Sequence, residues 1–338
     1  MKHILVIGGT GFVGAHVCEK LVRAGFRVSV PTRRAVHARK IQHLPGLTVL
    51  DCNVHDEFAL TQAMADVDGV VNLVAILHGT PESFDRVHRL LPEKIARACT
   101  AQGVRQLVHV SALGTDWRAP HNCPSNYLRS KGQGEAALMQ CLGWPQAPEN
   151  REDGSPRIGL TVLRPSVIFG ANDKFLNVFA RLQKMLPVMP LAGANARFQA
   201  VWVEDVACAV VRSMGQGLSG PPAWQLYELV GPQVYTLREL VQLAARHSGI
   251  GHGNGRLVLG LPRWMGRLQA MVLSLMPGEP VMSVDNLDSM RVDNVATGQW
   301  PGFEALGIIP ATLAAIAPTY LVADRAGLGL LGVRRHAH

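Results

Sequence analysis

Tyr127-Leu128-Arg129-Ser130-Lys131 is the segment whose residue types are best suited to chemistry, and apolar, helix-compatible sequence follows it from Ala136 to Met139. Four residues apart on a helix, Tyr127 and Lys131 share a face. An ammonium beside a phenol favours the phenolate and lowers its pKa from about 10 toward the working range, so that the tyrosine exchanges a proton as a hydride moves. Interconversion of a carbonyl and an alcohol needs that proton. An isolated Tyr-x-x-x-Lys also fits the outer face of a surface helix; this one stands downstream of a glycine turn and five strand signals.

That turn, Gly8-Gly9-Thr10-Gly11-Phe12-Val13-Gly14, follows an apolar run and opens a helix. Gly8, Gly11 and Gly14 are spaced three apart, where the backbone bends sharply and must approach a pyrophosphate. The helix N-terminus offers free N–H donors and the positive end of its dipole, and the last glycine allows close helix–strand packing. Gly8, Thr10, Gly11, Phe12, Val13 and Gly14 are therefore expected to hold a dinucleotide. The second strand of such folds usually ends on an acid for the ribose hydroxyls, whereas here it ends on Pro31-Thr32-Arg33-Arg34. A guanidinium pair binds a 2′-phosphate bidentately, which favours NADP(H), with NAD(H) as the alternative. A solvated basic loop is the plainer reading of Arg33 and Arg34.

The elements that must position these groups alternate through the first half: Ile4–Ile7, a helix from Val13 to Ala24, Arg27–Val30, Leu47–Leu50, a helix near Phe58–Ala65, Gly69–Ala75, a helix near Pro92–Gln102, and Leu107–Val110. That rhythm predicts an α/β fold, a Rossmann doubly wound parallel sheet with helices on both faces and a smaller mixed C-terminal lobe. A loop insertion near 144–157 interrupts it before Leu160–Leu163 resumes. The expected division is 1–170 for the dinucleotide-binding domain, 171–326 mainly for a substrate or partner lobe with some segments returning to the first, and 327–338 for a flexible basic tail. Short strands at Phe198–Val203 and Gln225–Val230 are expected in the second part.

The 338 residues are 48% hydrophobic and 17% charged, the balance of a folded protein with a sizeable core. A net charge of +8 suits phosphate-bearing ligands, nucleic acid or an anionic membrane surface without choosing among them. No nucleic-acid motif accompanies it. The six cysteines form no C-x-x-C pair, and none of the 13 histidines has metal-ligand spacing, so reduced thiols in a cytoplasmic compartment and no catalytic metal are expected. The first residues read as a strand, not a signal peptide, and no uninterrupted apolar run is long enough to span a membrane. From Leu261 to Met276, Trp264, Leu268, Met271, Val272, Leu275 and Met276 recur at helical spacing with Arg263 and Arg267 toward the start. This helix either packs on its own domain or lies in a membrane interface.

On Gly8 to Gly14, Asp68 to Ile76, Val108 to Gly114, Tyr127 to Lys131, Leu163 to Gly170 and Val201 to Ala207, the chain resembles the extended and atypical short-chain dehydrogenase/reductases. Among these it is most similar to the nucleotide-binding accessory subunit of respiratory complex I and its bacterial relatives; Pro280 to Leu287, Asp293-Asn294 and Pro310 to Leu321 extend that likeness. The resemblance implies that Asn53 and Val54 flank the adenine, that Val74, Ala75 and Ile76 line the dinucleotide, and that Pro165 and Val167 border the nicotinamide. It implies that Lys131 also holds the nicotinamide ribose. The family's carbonyl-polarising Ser or Thr is missing from its usual position, which holds Ala112, leaving Ser111, 16 residues before Tyr127, to assist. Arg197 falls in a segment that borders substrate in extended members; it either receives an anionic group or pairs with Glu204 or Asp205.

Two functions are open at this point. One is an accessory protein of the complex I type carrying NADP(H), associated with a respiratory complex or with the cytoplasmic face of a membrane. The other is an NAD(P)-dependent oxidoreductase or epimerase acting on a small carbonyl or hydroxyl substrate through Tyr127, Lys131 and Ser111.

Overall fold

Short runs of valine, isoleucine and leucine build the central sheet of the computed structural model, which describes residues 1–145, 157–253, 255–274 and 282–321. The strands are β1 (His3–Ile7), β2 (Arg27–Thr32), β3 (Leu47–Asp51), β4 (Gly69–Asn72), β5 (Gln106–Val110), β6 (Gly159–Pro165) and β7 (Trp224–Leu229). They lie in the order β3-β2-β1-β4-β5-β6-β7, and every neighbouring pair is parallel. Strands β1, β4, β5 and β6 are buried on both faces, which is why they read as continuous apolar runs rather than as alternation. Chain order reverses between β1 and β4, and at such a reversal α/β folds bind their ligands at the carboxyl ends of the strands.

Helices α1 (Phe12–Arg23), α2 (Glu57–Ala63), α3 (Pro81–Asp85), α4 (Leu91–Ala101), α5 (Asn126–Leu142), α6 (Leu176–Met185) and α7 (Val203–Ser219) follow. One core, with Ile4, Val6, Val17, Leu21, Val206 and Val210, fills the side of the sheet under α1 and α7. The other, with Leu5, Ile7, Leu60, Ile95, Leu107 and Leu138, fills the side under α2, α4 and α5. The expected strand at Gln225–Val230 is β7, the edge strand of the main sheet, and α7 packs beside α1. The expected strand at Phe198–Val203 is two short ones, Arg197–Phe198 and Val201–Trp202, because α7 begins at Val203. Helices α8 (Leu237–His247), α9 (Arg263–Ser274), α10 (Val284–Ser289) and α11 (Leu313–Tyr320) complete the set. A third core holds Leu176, Phe179, Leu191, Leu240 and Leu313 of α6, α8, α11 and the strand Val188–Ala192. The centre of the insertion near 144–157 and the basic tail at 327–338 lie outside the described residues.

The helix expected near Pro92–Gln102 starts earlier. Thr80 caps α3 by accepting from Ser83 N–H, Pro81 occupies its first turn, and a π-helical turn, Arg86–Leu90, carries the chain from α3 into α4. Pro92 has no N–H to offer the His88 carbonyl four residues before it, so regular α-helical bonding is broken there.

Helix α5 is tied to the sheet by charge. Fully buried Glu135 accepts from Arg164 of β6 through both oxygens, at 3.0 and 2.5 Å, and from the Thr115 hydroxyl at 2.8 Å. Removing one partner of such a pair leaves the other charge buried and unmatched, at a cost of roughly 3–5 kcal/mol. Glu135→Ala is expected to lower the free energy of urea unfolding by that amount, and a loss below about 1 kcal/mol would show that Arg164 finds another partner.

Candidate functional site: a dinucleotide crevice with a tyrosine–lysine helix

The glycine turn leaves β1 for α1 with Gly8 at φ +87°, a conformation that L side chains rarely adopt. A Cβ on Gly14 would lie 2.2 Å from the Gly8 carbonyl oxygen, so only glycine lets α1 approach the turn. Gly11 caps α1 without a side-chain hydrogen bond, and the first turn carries no acid. Its N–H groups and the positive end of the helix dipole are left for an anion, which fits the pyrophosphate of a dinucleotide. Thr10, Gly11, Phe12 and Val13 are all at least partly exposed on this turn.

Arg33 and Arg34 extend into solvent beyond β2, and Arg34 N–H donates to Thr32 Oγ1. A cavity of about 920 Å³ runs from Thr10, Gly11 and Phe12 along α1 to the segment bearing His37, Arg39, Lys40 and His43. These four were missed in the sequence, although their basic types over seven positions were the available signal. Asn53 and Val54 follow β3, where Asn53 Oδ1 accepts from His55 N–H.

Val74, Ala75 and Ile76 leave the end of β4; Val74 N–H donates to Asn72 Oδ1 and Ile76 N–H donates to His88 Nε2. Pro165 ends β6, and the next turn is clamped by Asn294, whose Oδ1 accepts from Val167 N–H at 3.1 Å and from Ser166 Oγ at 2.6 Å. The carboxyl ends of β1, β4 and β6 thus bring together the glycine turn, residues 74–76 and residues 165–167.

Tyr127 and Lys131 lie one turn apart on α5, as the spacing predicts. Lys131 is 1% exposed, and its Nζ donates to the Val110 carbonyl at 2.8 Å. Burial lowers its pKa to about 8, opposed by the Glu135 carboxylate. The Tyr127 ring packs edge-on against His88 and Phe84, and burial pushes its phenol up to about 12 rather than down. Desolvation of the charged form dominates here over any help from the ammonium. Ser111 is buried with no hydrogen-bond partner for its Oγ among the described residues, and Ala112 packs with Cys123, Leu128 and Tyr127. Arg197 pairs with neither expected acid: it is exposed, and its partner is Asp293 at 3.4 Å, whereas Glu204 is taken by His16 and Lys20.

Residues 8–141 match the NAD(P)H-binding family, so the crevice holds a nicotinamide dinucleotide. Over 319 residues, covering 91% of this chain and 76% of the relative, the chain is 31% identical to NADH dehydrogenase [ubiquinone] 1 alpha subcomplex subunit 9, mitochondrial, of Mus musculus. The chain belongs to the alpha subcomplex subunit 9 family. Its Arabidopsis thaliana counterpart is 26% identical over 333 residues, covering 95% of this chain and 78% of the relative. In fold it is similar to UDP-glucose 4-epimerase of Thermotoga maritima, with a TM-score of 0.67, 17% identity, and 94% and 97% of the two chains covered.

In this subunit 9 family member α10 also reaches the start of α5. Asp285 of α10 accepts from the backbone N–H groups of Asn126 (2.7 Å) and Tyr127 (3.0 Å), the first two residues of α5, and Ser289 Oγ donates to Ser125 Oγ at 2.8 Å. A carboxylate at a helix N-terminus complements the dipole. No short-range pattern announces a contact spanning 158 residues. Among the described residues no cluster of metal-ligating side chains occurs, and no helix is long and apolar enough to cross a membrane.

Lys131 sets a pH dependence with a definite sign. Its folded pKa, about 8, lies below the roughly 10.5 of an unfolded lysine. Below pH 8 both states carry the proton and the folded state bears the full cost of the buried charge. Between pH 8 and 10.5 the unfolded state binds more protons, so stability rises with pH. Relative to Lys131→Met, the wild type is expected to gain up to ~3 kcal/mol between pH 7.5 and 10. Urea titrations of both proteins at the two pH values measure the difference, and parallel curves would place the lysine pKa near its ordinary value.

Proposed function

We propose that the chain is an NADP(H)-loaded accessory protein of the respiratory complex I type, seated against the cytoplasmic face of a membrane, and that it retains its cofactor mainly as part of its structure. The observation that carries this reading is the state of the Tyr127–Lys131 pair. The ammonium donates to a main-chain carbonyl, burial shifts the phenol up rather than down, and Ala112 stands where extended relatives place a hydroxyl. A dinucleotide bound here meets a cradle but no activated proton donor. Asn53 and Val54 flank the adenine, Val74, Ala75 and Ile76 line the dinucleotide, and Pro165 and Val167 border the nicotinamide.

The preference for the 2′-phosphate rests on Arg33 and Arg34, joined by Arg39 and Lys40 along the adjoining cavity, with no carboxylate at the end of β2. Arg33→Ala combined with Arg34→Ala is expected to weaken NADPH at least tenfold while leaving NADH within about threefold, since each tenfold loss is only 1.4 kcal/mol. Calorimetric titration of both nucleotides decides it; an equal loss for the two would assign the arginines to the shared pyrophosphate.

Seating on a membrane rests on α9. Trp264, Leu268 and Met271 are 69%, 57% and 58% exposed on one face, while Ala270 on the opposite face is fully buried. Leu257 and Leu259 of the preceding strand, Leu257–Leu261, are exposed as well. With a net charge of +8, this face suits an anionic lipid surface. Sedimentation with vesicles of anionic and zwitterionic lipid is expected to recover the protein only with the former at low salt. Trp264→Glu with Leu268→Glu is expected to abolish recovery, and wild type left wholly in the supernatant would remove the membrane from the proposal.

The enzymatic reading keeps one observation in its favour, the buried and unpartnered Ser111 hydroxyl. In that reading Tyr127 exchanges the proton, Lys131 holds the nicotinamide ribose, Ser111 polarises a carbonyl, and Arg197 receives an anionic substrate group. Oxidation of bound NADPH on adding a quinone or metabolite pool, lost in Tyr127→Phe, would establish it.

A further inference from the structure

The π-helical turn between α3 and α4 places one side chain where neither the glycine turn nor the Tyr127–Lys131 helix accounts for it. His88 is 1% exposed, and both of its ring nitrogens are engaged. Ile76 N–H, 3.1 Å from Nε2, is a backbone donor and has no other role. Nε2 must therefore be the bare acceptor, and a neutral ring then carries its proton on Nδ1. Nδ1–H donates to Ser130 Oγ at 2.8 Å, and the single hydroxyl proton of Ser130 goes on to the Tyr127 carbonyl at 2.8 Å. The hydrogen bonds run one way, from Ile76 through His88 and Ser130 to the backbone of Tyr127. Burial and the nearby Lys131 charge both oppose protonation of the ring.

The surrounding packing holds the same ring. Its face tilts against Phe84 at 5.5 Å, and it meets the Tyr127 ring edge-on at 5.5 Å. A Cβ on Gly134 of α5 would lie 1.9 Å from the His88 carbonyl, so α5 rests directly on the backbone of the π turn. This carbonyl is the one to which Pro92, four residues on, can offer no N–H.

We propose that His88 is the positioning residue of the dinucleotide site: as its neutral Nδ1–H tautomer it fixes the wall formed by residues 74–76 at a set distance from Tyr127. This rests on the placing of Val74, Ala75 and Ile76 along the dinucleotide. What matters is an acceptor facing Ile76, not the volume of the side chain. Glutamine can set Oε1 near the position of Nε2, whereas methionine fills similar space without a comparable acceptor.

The test is NADPH affinity by calorimetry for wild type, His88→Gln and His88→Met, with thermal melts to confirm folding, and ¹⁵N NMR of the wild-type histidine ring. Expected are affinity within about threefold for His88→Gln, a loss of tenfold or more for His88→Met, and an Nδ1–H signature for His88 in the wild type. Equal affinity for wild type and His88→Met would reduce His88 to a space filler and overturn the proposal. An Nε2–H ring would overturn it as well, and can be read even if His88→Met fails to fold. Absence of NADPH binding by the wild type is a different outcome: it would overturn the placing of residues 74–76 along that cofactor, and the positioning role with it.

Discussion

Helix α5 carries a lysine and a glutamate into the interior on one face, and the site is organised by how those two charges are satisfied. Glu135 takes Arg164 from β6 and the Thr115 hydroxyl; Lys131, one turn earlier, takes the carbonyl at the end of β5. Burying either group alone would cost several kcal/mol, so the helix has little freedom to slide or rotate against the sheet. Tyr127, one turn earlier still, is thereby fixed over the crevice. Glycines permit this: a Cβ on Gly132 would lie 2.8 Å from the Asp116 carbonyl oxygen, just as one on Gly134 would meet that of His88.

The second lobe closes the arrangement from the other side. Asp285 occupies the first two N–H groups of α5, and Asn294 ties the exit of β6 to the loop after β5 through Val167, Ser166 and Leu113. Both residues lie in segments that carry the resemblance to the complex I branch. Their contacts give that resemblance a physical meaning: they brace the start of α5 and the turn after β6 from outside the sheet.

The glycine turn, the parallel sheet and the helical Tyr-x-x-x-Lys were legible because each is encoded within a few residues. The turn needs glycine at fixed intervals, buried strands need β-branched runs, and four-residue spacing alone puts Tyr127 and Lys131 on one face. The direction of the Tyr127 shift was not legible, since it depends on where Nζ points and on how deeply the ring sits, both set by distant packing. The π turn was hidden because Pro92 reads locally as a helix start, although Thr80-Pro81 was a visible earlier cap. Arg197 finds Asp293 instead of Glu204 or Asp205 because His16 and Lys20 of α1 reach Glu204, a pairing that only the packing of α1 on α7 reveals. His88, Asp285 and Asn294 act across 12 to 181 residues and leave no local pattern.

The two ends of the crevice differ in what they can offer a dinucleotide, and the difference bears on function. The glycine-turn end has helix N–H groups at the start of α1, two exposed arginines beyond β2, and Arg39 and Lys40 with Glu19 along the cavity beside α1. At the other end stand Tyr127, Lys131 bonded to the Val110 carbonyl, and the Ser111 hydroxyl, which has no partner among the described residues. Interactions at the first end act equally on a resting and a reacting cofactor, so they secure binding without lowering a barrier. Acceleration would have to come from the second end, where loss of a single aligned donor costs other enzymes about a hundredfold to a thousandfold. On the reading proposed above, a site with its affinity at one end and an unactivated donor at the other is built first to keep its cofactor.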